Sequence, residues 1–173
     1  MPETQPEAWL RGPLPGVDPF LMPAAHALVQ CREDVAGAVA GLDPARLWAR
    51  PGGAASLGFH LRHIAGSLDR LLTYARGEGL TEAQRAAAKR EREEASAQDA
   101  ASLLAEVDAA VEGALAQLRA TPRERLLDPR PVGRAGAPSN VLGLLVHAAE
   151  HAQRHAGQVI TTAKILRGPA STE

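Results

Sequence analysis

The sequence predicts an all-α protein, a four-helix bundle, on three observations. Ala and Leu dominate, aromatic residues make up only 3%, and few stretches show the β-branched alternation of strands. Apolar residues recur at helical spacing in four long segments. Capping side chains, prolines or glycines bracket each segment. A chain of 173 residues is a usual single-domain length, able to bury a core without disulfide staples. With no internal repeat, the segments read as one bundle over 18–168, preceded by a strap over 1–17 and followed by a tail at 169–173.

The strap is rich in proline and cannot hold a long helix, though Trp9 and Leu10 give it something to bury. Asp18-Pro19 predicts a helix start, a capping side chain followed by a first-turn proline, with the helix running over 19–41. Its apolar line is Leu21, Ala24, Leu28, Cys31, Val35, Val39 and Leu42. Cys31 sits in that line like a small core residue and is expected to be inert, whereas His26 lies off it and is expected in solvent. Asp43-Pro44 opens a short turn that Pro51-Gly52-Gly53 breaks.

The second long helix is predicted from Ser56 to Arg76, with Leu57, Leu61, Ile64, Leu68, Leu71 and Leu72 on its apolar face and Gly77 and Gly79 ending it. Thr81-Glu82-Ala83-Gln84 is a capping-box pattern opening a polar helix over 81–94, which its mixed charge marks as a solvated connector. Asp99 caps the third long helix, whose Leu103, Leu104, Val107, Val111, Ala114 and Leu118 repeat at helical spacing up to Pro122. The proline-rich stretch 122–138 reads as a loop with a short turn at 125–127. Ser139 then caps the last helix, which runs to Arg167 before Gly168-Pro169.

That last helix carries His147, His151 and His155, three of the six histidines of the chain, four residues apart. Residues at this spacing stack one turn above another, with a rise of roughly 6 Å, so two imidazoles can close on one ion. The apolar arc, Val141, Leu145, Ala148, Ala152, Ala156, Val159, Ala163 and Leu166, is centred near Ala152. His155 falls inside its edge, His151 on its flank and His147 farther out, so His147 is the weakest ligand candidate. A further pair, His60 and His63, lies on the second long helix. A third imidazole from a facing helix makes a three-histidine site with an open position, as catalytic metals have.

Composition excludes several classes of function. A net charge of −1 with interspersed signs leaves no footprint for nucleic acid or an anionic membrane. Aromatic residues are too few for base stacking. The single cysteine, the lack of a signal-peptide pattern and of any ~20-residue apolar run predict a cytoplasmic protein. No phosphate loop, nucleophile elbow or paired-cysteine motif competes with the histidines.

His63-Ile64-Ala65-Gly66-Ser67, together with His151-Ala-Gln-Arg-His155-Ala-Gly157-Gln158 near the C terminus, resembles the DinB/YfiT-like metal-binding four-helix bundles over most of the chain. Members commonly carry His-x-x-x-His followed closely by Gly-Gln; the Arg that precedes Gly-Gln there is Ala156 here. The resemblance implies a divalent metal, zinc or nickel, held by His63, His151 and His155. It also implies an up-down-down-up bundle with a long crossover between the second and third long helices, and a homodimer. On the helical wheel alone, His60 lies nearer the apolar centre than His63, so wheel and family favour different ligands. Phe59, His63, Gly66, Ser67, Arg70 and Tyr74 share a flank, which makes Arg70 and Tyr74 pocket candidates. Gln158, three residues past His155, is placed to orient a ligand from behind.

The function expected is activation of water or a low-molecular-weight thiol by the metal, toward a small-molecule substrate. Relatives that transfer bacillithiol, mycothiol or glutathione make thiol S-transfer the foremost chemistry the resemblance implies, with metal-dependent hydrolysis beside it. Two alternatives stand: a non-catalytic, stress-related metal-binding dimer, and a helical interaction module with incidental histidines.

Overall fold

The computed structural model describes residues 5–93 and 98–168, and all its regular structure is helical. The helices are α1 (Met22–Val39), α2 (Leu57–Arg76), α3 (Glu82–Arg90), α4 (Ala100–Ala120) and α5 (Val141–Arg167), with short 3-10 turns before α1, between α1 and α2, and between α4 and α5. The 169–173 tail and the last residue assigned to the polar helix, Glu94, lie outside the described residues.

Local chemistry explains most boundaries. Ser56 accepts from the Phe59 amide and starts α2, and Asp99 accepts from the Ser102 amide at the head of α4. Thr81 and Gln84 form the reciprocal capping box of α3. Gly77 closes α2 in the left-handed conformation, at φ 83°.

Several boundaries differ from expectation: α1 ends at Val39 rather than at 41, and α3 ends at Arg90, short of 94. α1 begins at Met22 rather than at residue 19, because Asp18 caps a tight turn instead: its side chain accepts from Phe20, and its carbonyl accepts from the Leu21 amide three residues on. The α-type ladder opens with Ala25 donating to the Leu21 carbonyl, around Pro23, the second available first-turn proline. The cap of α5 is Asn140, not Ser139, its side chain accepting from Gly143 at 2.7 Å. The short turn in the 122–138 loop is Arg123–Arg125, two residues early, and the loop also folds back through isolated bridges Pro129–Asn140 and Val132–Ala137.

The strap packs beside α1, but its aromatic residue is not what anchors it. Trp9 is 62% exposed and Leu10 is exposed too, while Ala8 is buried. Val17 and the partly buried Leu14 reach the core instead, and polar contacts add to them: the Ala8 amide donates to Gln30, Arg11 forks onto Glu33, and His26, expected in solvent, contacts the Gly12 carbonyl at 2.9 Å.

Each long helix packs against two others. α5 lies against α2 and α1, and α4 lies against the same pair. Their buried stripes, including Leu28, Cys31 and Val35 of α1, Leu57, Leu61, Ile64 and Leu68 of α2, Leu103, Val107 and Val111 of α4, and Leu145, Ala152 and Val159 of α5, merge into one core. Cross-helix hydrogen bonds give directions. Gln153 donates to the Ala27 carbonyl and Arg167 to the Ala38 carbonyl, so α1 and α5 run the same way. Arg62 reaches Gln98 while Gln117 reaches the Leu72 carbonyl, so α2 and α4 also share a direction. α2 and α5 run oppositely, since His60 meets His155 and His63 meets His151. Among the described residues, no helix is long and apolar enough to cross a membrane.

Candidate metal centre

The seam between α2 and α5 gathers the histidines. Because the two helices are antiparallel, an i, i+3 pair on one meets an i, i+4 pair on the other in reverse order. His63 Nε2 lies 2.9 Å from His151 Nε2, and His60 Nδ1 lies 3.0 Å from His155 Nδ1. The ring of His155 also stands edge-on to His63, centroids 4.5 Å apart, and to His151, at 4.7 Å. His63, His151 and His155 thereby each offer a nitrogen within 4.8 Å of the other two, a cluster that could hold a metal ion. Two nitrogens bound to one ion at about 2.1 Å stand roughly 3.0–3.4 Å apart, so the seam needs only small adjustments to close on one.

The chemistry of the donor set fits such an ion. Burial, with neighbouring His63 adding to it, brings His60 and His155 down to about 4. Burial lowers His151 as well. His60 and His155 are therefore neutral near pH 7, and a metal-binding imidazole must be neutral. His151 Nδ1 is buried with no hydrogen-bond partner among the described residues, a capacity that protein contacts leave unspent.

His60, favoured by the wheel, is indeed the more deeply buried of the α2 pair, at 5% exposure. Depth and clustering separate here. It is not one of the three clustered residues and instead sits against the Nδ1 edge of His155. His147 is exposed and contacts Glu150 at 3.2 Å. Gln158 is exposed, and Tyr74 packs partly buried against the core. Arg70 does approach the site, through a partner the sequence did not reveal.

That partner is Glu91, just past α3. The connector is solvated along most of its length, but Glu91 is only 8% exposed, a correction to its reading as wholly solvent-facing. One carboxylate oxygen meets His63 Nδ1 at 2.7 Å, and the other takes a short hydrogen bond from Arg70. Burial pushes this carboxyl upward, yet the bonds from His63 and Arg70 and their charges outweigh it, leaving the group below its ordinary value and ionised. Phe59 stacks on the other side of His63, centroids 5.3 Å apart and planes 15° from parallel, and Arg92 covers Phe59.

A cavity of about 480 Å³ between α2, α3 and α4 shares Gly66 and Glu91 with this arrangement but is lined by none of the three histidines. It adjoins the centre from behind Glu91 and is not the open face of an ion at the seam.

No curated protein matches the chain. The sequence profile of the DinB superfamily matches residues 27–159, a span from the first turns of α1 through both histidine clusters to the later turns of α5, and the chain belongs to that superfamily.

Proposed function

We propose that the protein is a metal-dependent enzyme that binds a divalent ion, zinc or nickel, through His63, His151 and His155, and activates a low-molecular-weight thiol or water there. The observation that carries the reading is the convergence of three imidazole nitrogens from two helices, with no fourth donor in the cluster among the described residues. Three protein ligands leave a position for an exchangeable one, as in catalytic rather than structural sites. Lewis acidity at that position would lower the pKa of a thiol or water.

The surrounding carboxylates favour a nucleophile acidic enough to need no protein base. Glu91 is taken up by His63 and Arg70, and Glu150 by Arg154 and His147. A thiol meets that requirement more readily than water, which agrees with the S-transfer that the family resemblance implies. The opposed directions of α2 and α5, with α1 and α5 alike, support an up-down-down-up bundle in which the 81–94 segment belongs to the crossover. Homodimerisation and a cytoplasmic location belong to the same reading.

Elemental analysis of gently purified protein tests the metal, with about one equivalent per chain expected. A screen of thiols against a chromogenic electrophile then tests the chemistry. Metal at one equivalent without thiol conjugation or hydrolysis would leave a non-catalytic metal-binding bundle, and absence of metal affinity would remove the reading.

A further inference from the structure

The connector after α3 touches the histidine cluster through Glu91, and the fold makes room for that side chain in a specific way. A Cβ placed on Gly66 of α2 would collide with Glu91 Oε1 and stand only 2.8 Å from Arg70 Nη1. Gly66 is therefore the gap into which the carboxylate and guanidinium fit. Arg70, one helical turn past Gly66, supplies the counter-charge to a carboxylate that is almost wholly out of water. His63, one residue short of a turn before Gly66, supplies the remaining donor.

The consequence lies in the tautomer of His63. An ionised carboxylate accepts hydrogen bonds and donates none, so the proton of the Glu91–His63 contact belongs to His63 Nδ1. In a neutral ring the lone pair is then on Nε2, the nitrogen that faces His151. A metal-binding histidine whose other nitrogen donates to a carboxylate is fixed in orientation and made a stronger donor.

We infer that Glu91, seated by Gly66 and neutralised by Arg70, is a positioning residue for the metal centre: it accepts from His63 Nδ1, holds His63 Nε2 as the ligand nitrogen, and makes the crossover part of the site. This rests on the metal reading for its consequence, though not for the tautomer, which belongs to the metal-free protein.

The test uses full-length protein as wild type, Glu91→Ala, Glu91→Gln and Gly66→Ala. Long-range ¹⁵N–¹H correlation spectra of the metal-free forms report the tautomer of His63, and competition against a chromophoric chelator reports affinity for Zn(II) and Co(II). Wild type is expected as the Nδ1–H tautomer. Glu91→Ala should shift His63 toward Nε2–H and weaken metal binding by about 10–100-fold, with an altered Co(II) d–d spectrum. Glu91→Gln keeps an acceptor without the charge and should retain the tautomer with a smaller affinity loss. Gly66→Ala leaves both partners chemically intact and favours helix, so an affinity loss approaching that of Glu91→Ala comes from displacement of the carboxylate and not from unfolding.

An unchanged tautomer in Glu91→Ala, or affinity within twofold of wild type, would overturn the inference. Should wild type bind neither ion, the functional reading fails, and the His63 tautomer alone decides whether Glu91 positions that ring.

Discussion

The two seams of α5 use neighbouring residues to opposite ends. On the α1 side, Ala152 is fully buried and its carbonyl lies 3.5 Å from Cys31 Sγ, in a contact with no charge and little polarity. On the α2 side, His151 and His155, each one residue before a buried alanine, meet His63 and His60 with both rings half-buried. The first seam is closed by small side chains. The second is filled by imidazoles whose nitrogens contact one another. One helix thus carries an inert packing surface and a candidate reactive one about a residue's rotation apart, so chemistry here follows which neighbour a position faces more than how apolar its surroundings are.

The largest expected effect breaks the α2 seam. His63→Ala, His151→Ala and His155→Ala should each reduce bound metal from about one equivalent to near none after dialysis against a weak chelator, measured by elemental analysis, with any thiol-transfer activity lost in parallel. His147→Ala, at an exposed position paired to Glu150, should keep its metal. Retention of full metal by any of the three would dissolve the distinction between the seams.

A second break removes the packing beneath the histidines. Leu61 lies directly after His60 and is fully buried among the core side chains. Leu61→Ala deletes those contacts and leaves a cavity that the helices fill only in part, at a cost of about 2–5 kcal/mol. The urea midpoint of the metal-free protein should fall accordingly, and metal should restore part of it if the cluster still assembles.

The closed seam can be strained from the other direction. Ala152→Leu inserts three carbons where α1 and α5 approach closely, and overpacking of this kind costs about 1–3 kcal/mol. Thermal unfolding measures it. The comparison is sharpened if metal stoichiometry is unchanged, because the load then falls on the α1 side alone; loss of metal with little loss of stability would show that the seams move together.

These contrasts were unequally visible in the sequence. The helices announced themselves, since Ser56, the Thr81–Gln84 box and Asp99 are local signals that act through their own neighbouring amides. Where two candidates stood side by side, local rules did not choose: Asp18-Pro19 and Pro23 both suit a helix start, and Ser139 and Asn140 both suit a cap. His151 and His155 could be singled out by spacing alone, but His63 could be preferred to His60 only by family resemblance, because the wheel measures depth and the cluster depends on which rings converge. Glu91 was illegible for a further reason. In Lys89-Arg90-Glu91-Arg92-Glu93 nothing separates it from Glu93, and its burial is decided by where α3 lands on α2. The only trace is Gly66, a glycine inside a helix on the flank of Arg70 and His63, whose missing side chain leaves room for the carboxylate.

The smallest expected effect concerns the one thiol. Cys31 is fully buried in the α1 stripe, and burial, with Asp34 adding its negative charge, pushes its thiol up to about 12. At pH 8 only about one native molecule in ten thousand then carries a thiolate, and the sulfur is out of reach of a bulky reagent. Labelling by an aromatic disulfide should be slow on the native protein at pH 8 and complete within minutes in denaturant. The sign of the pH effect follows from proton counts. Between the ordinary thiol value of 9.0 and about 12, the folded chain keeps a proton that the unfolded chain has lost. This group therefore favours the folded state below 9, and that preference is lost as pH rises through the window. Cys31→Ala abolishes this contribution and should cost about 1 kcal/mol near neutrality, the ordinary price of a small core truncation. It should leave metal content and any thiol-transfer activity at the wild-type level, because the nucleophile proposed for the α2 seam comes from outside the chain. Rapid native labelling at pH 8, or activity lost in Cys31→Ala while metal is retained, would place reactive chemistry on the α1 side after all.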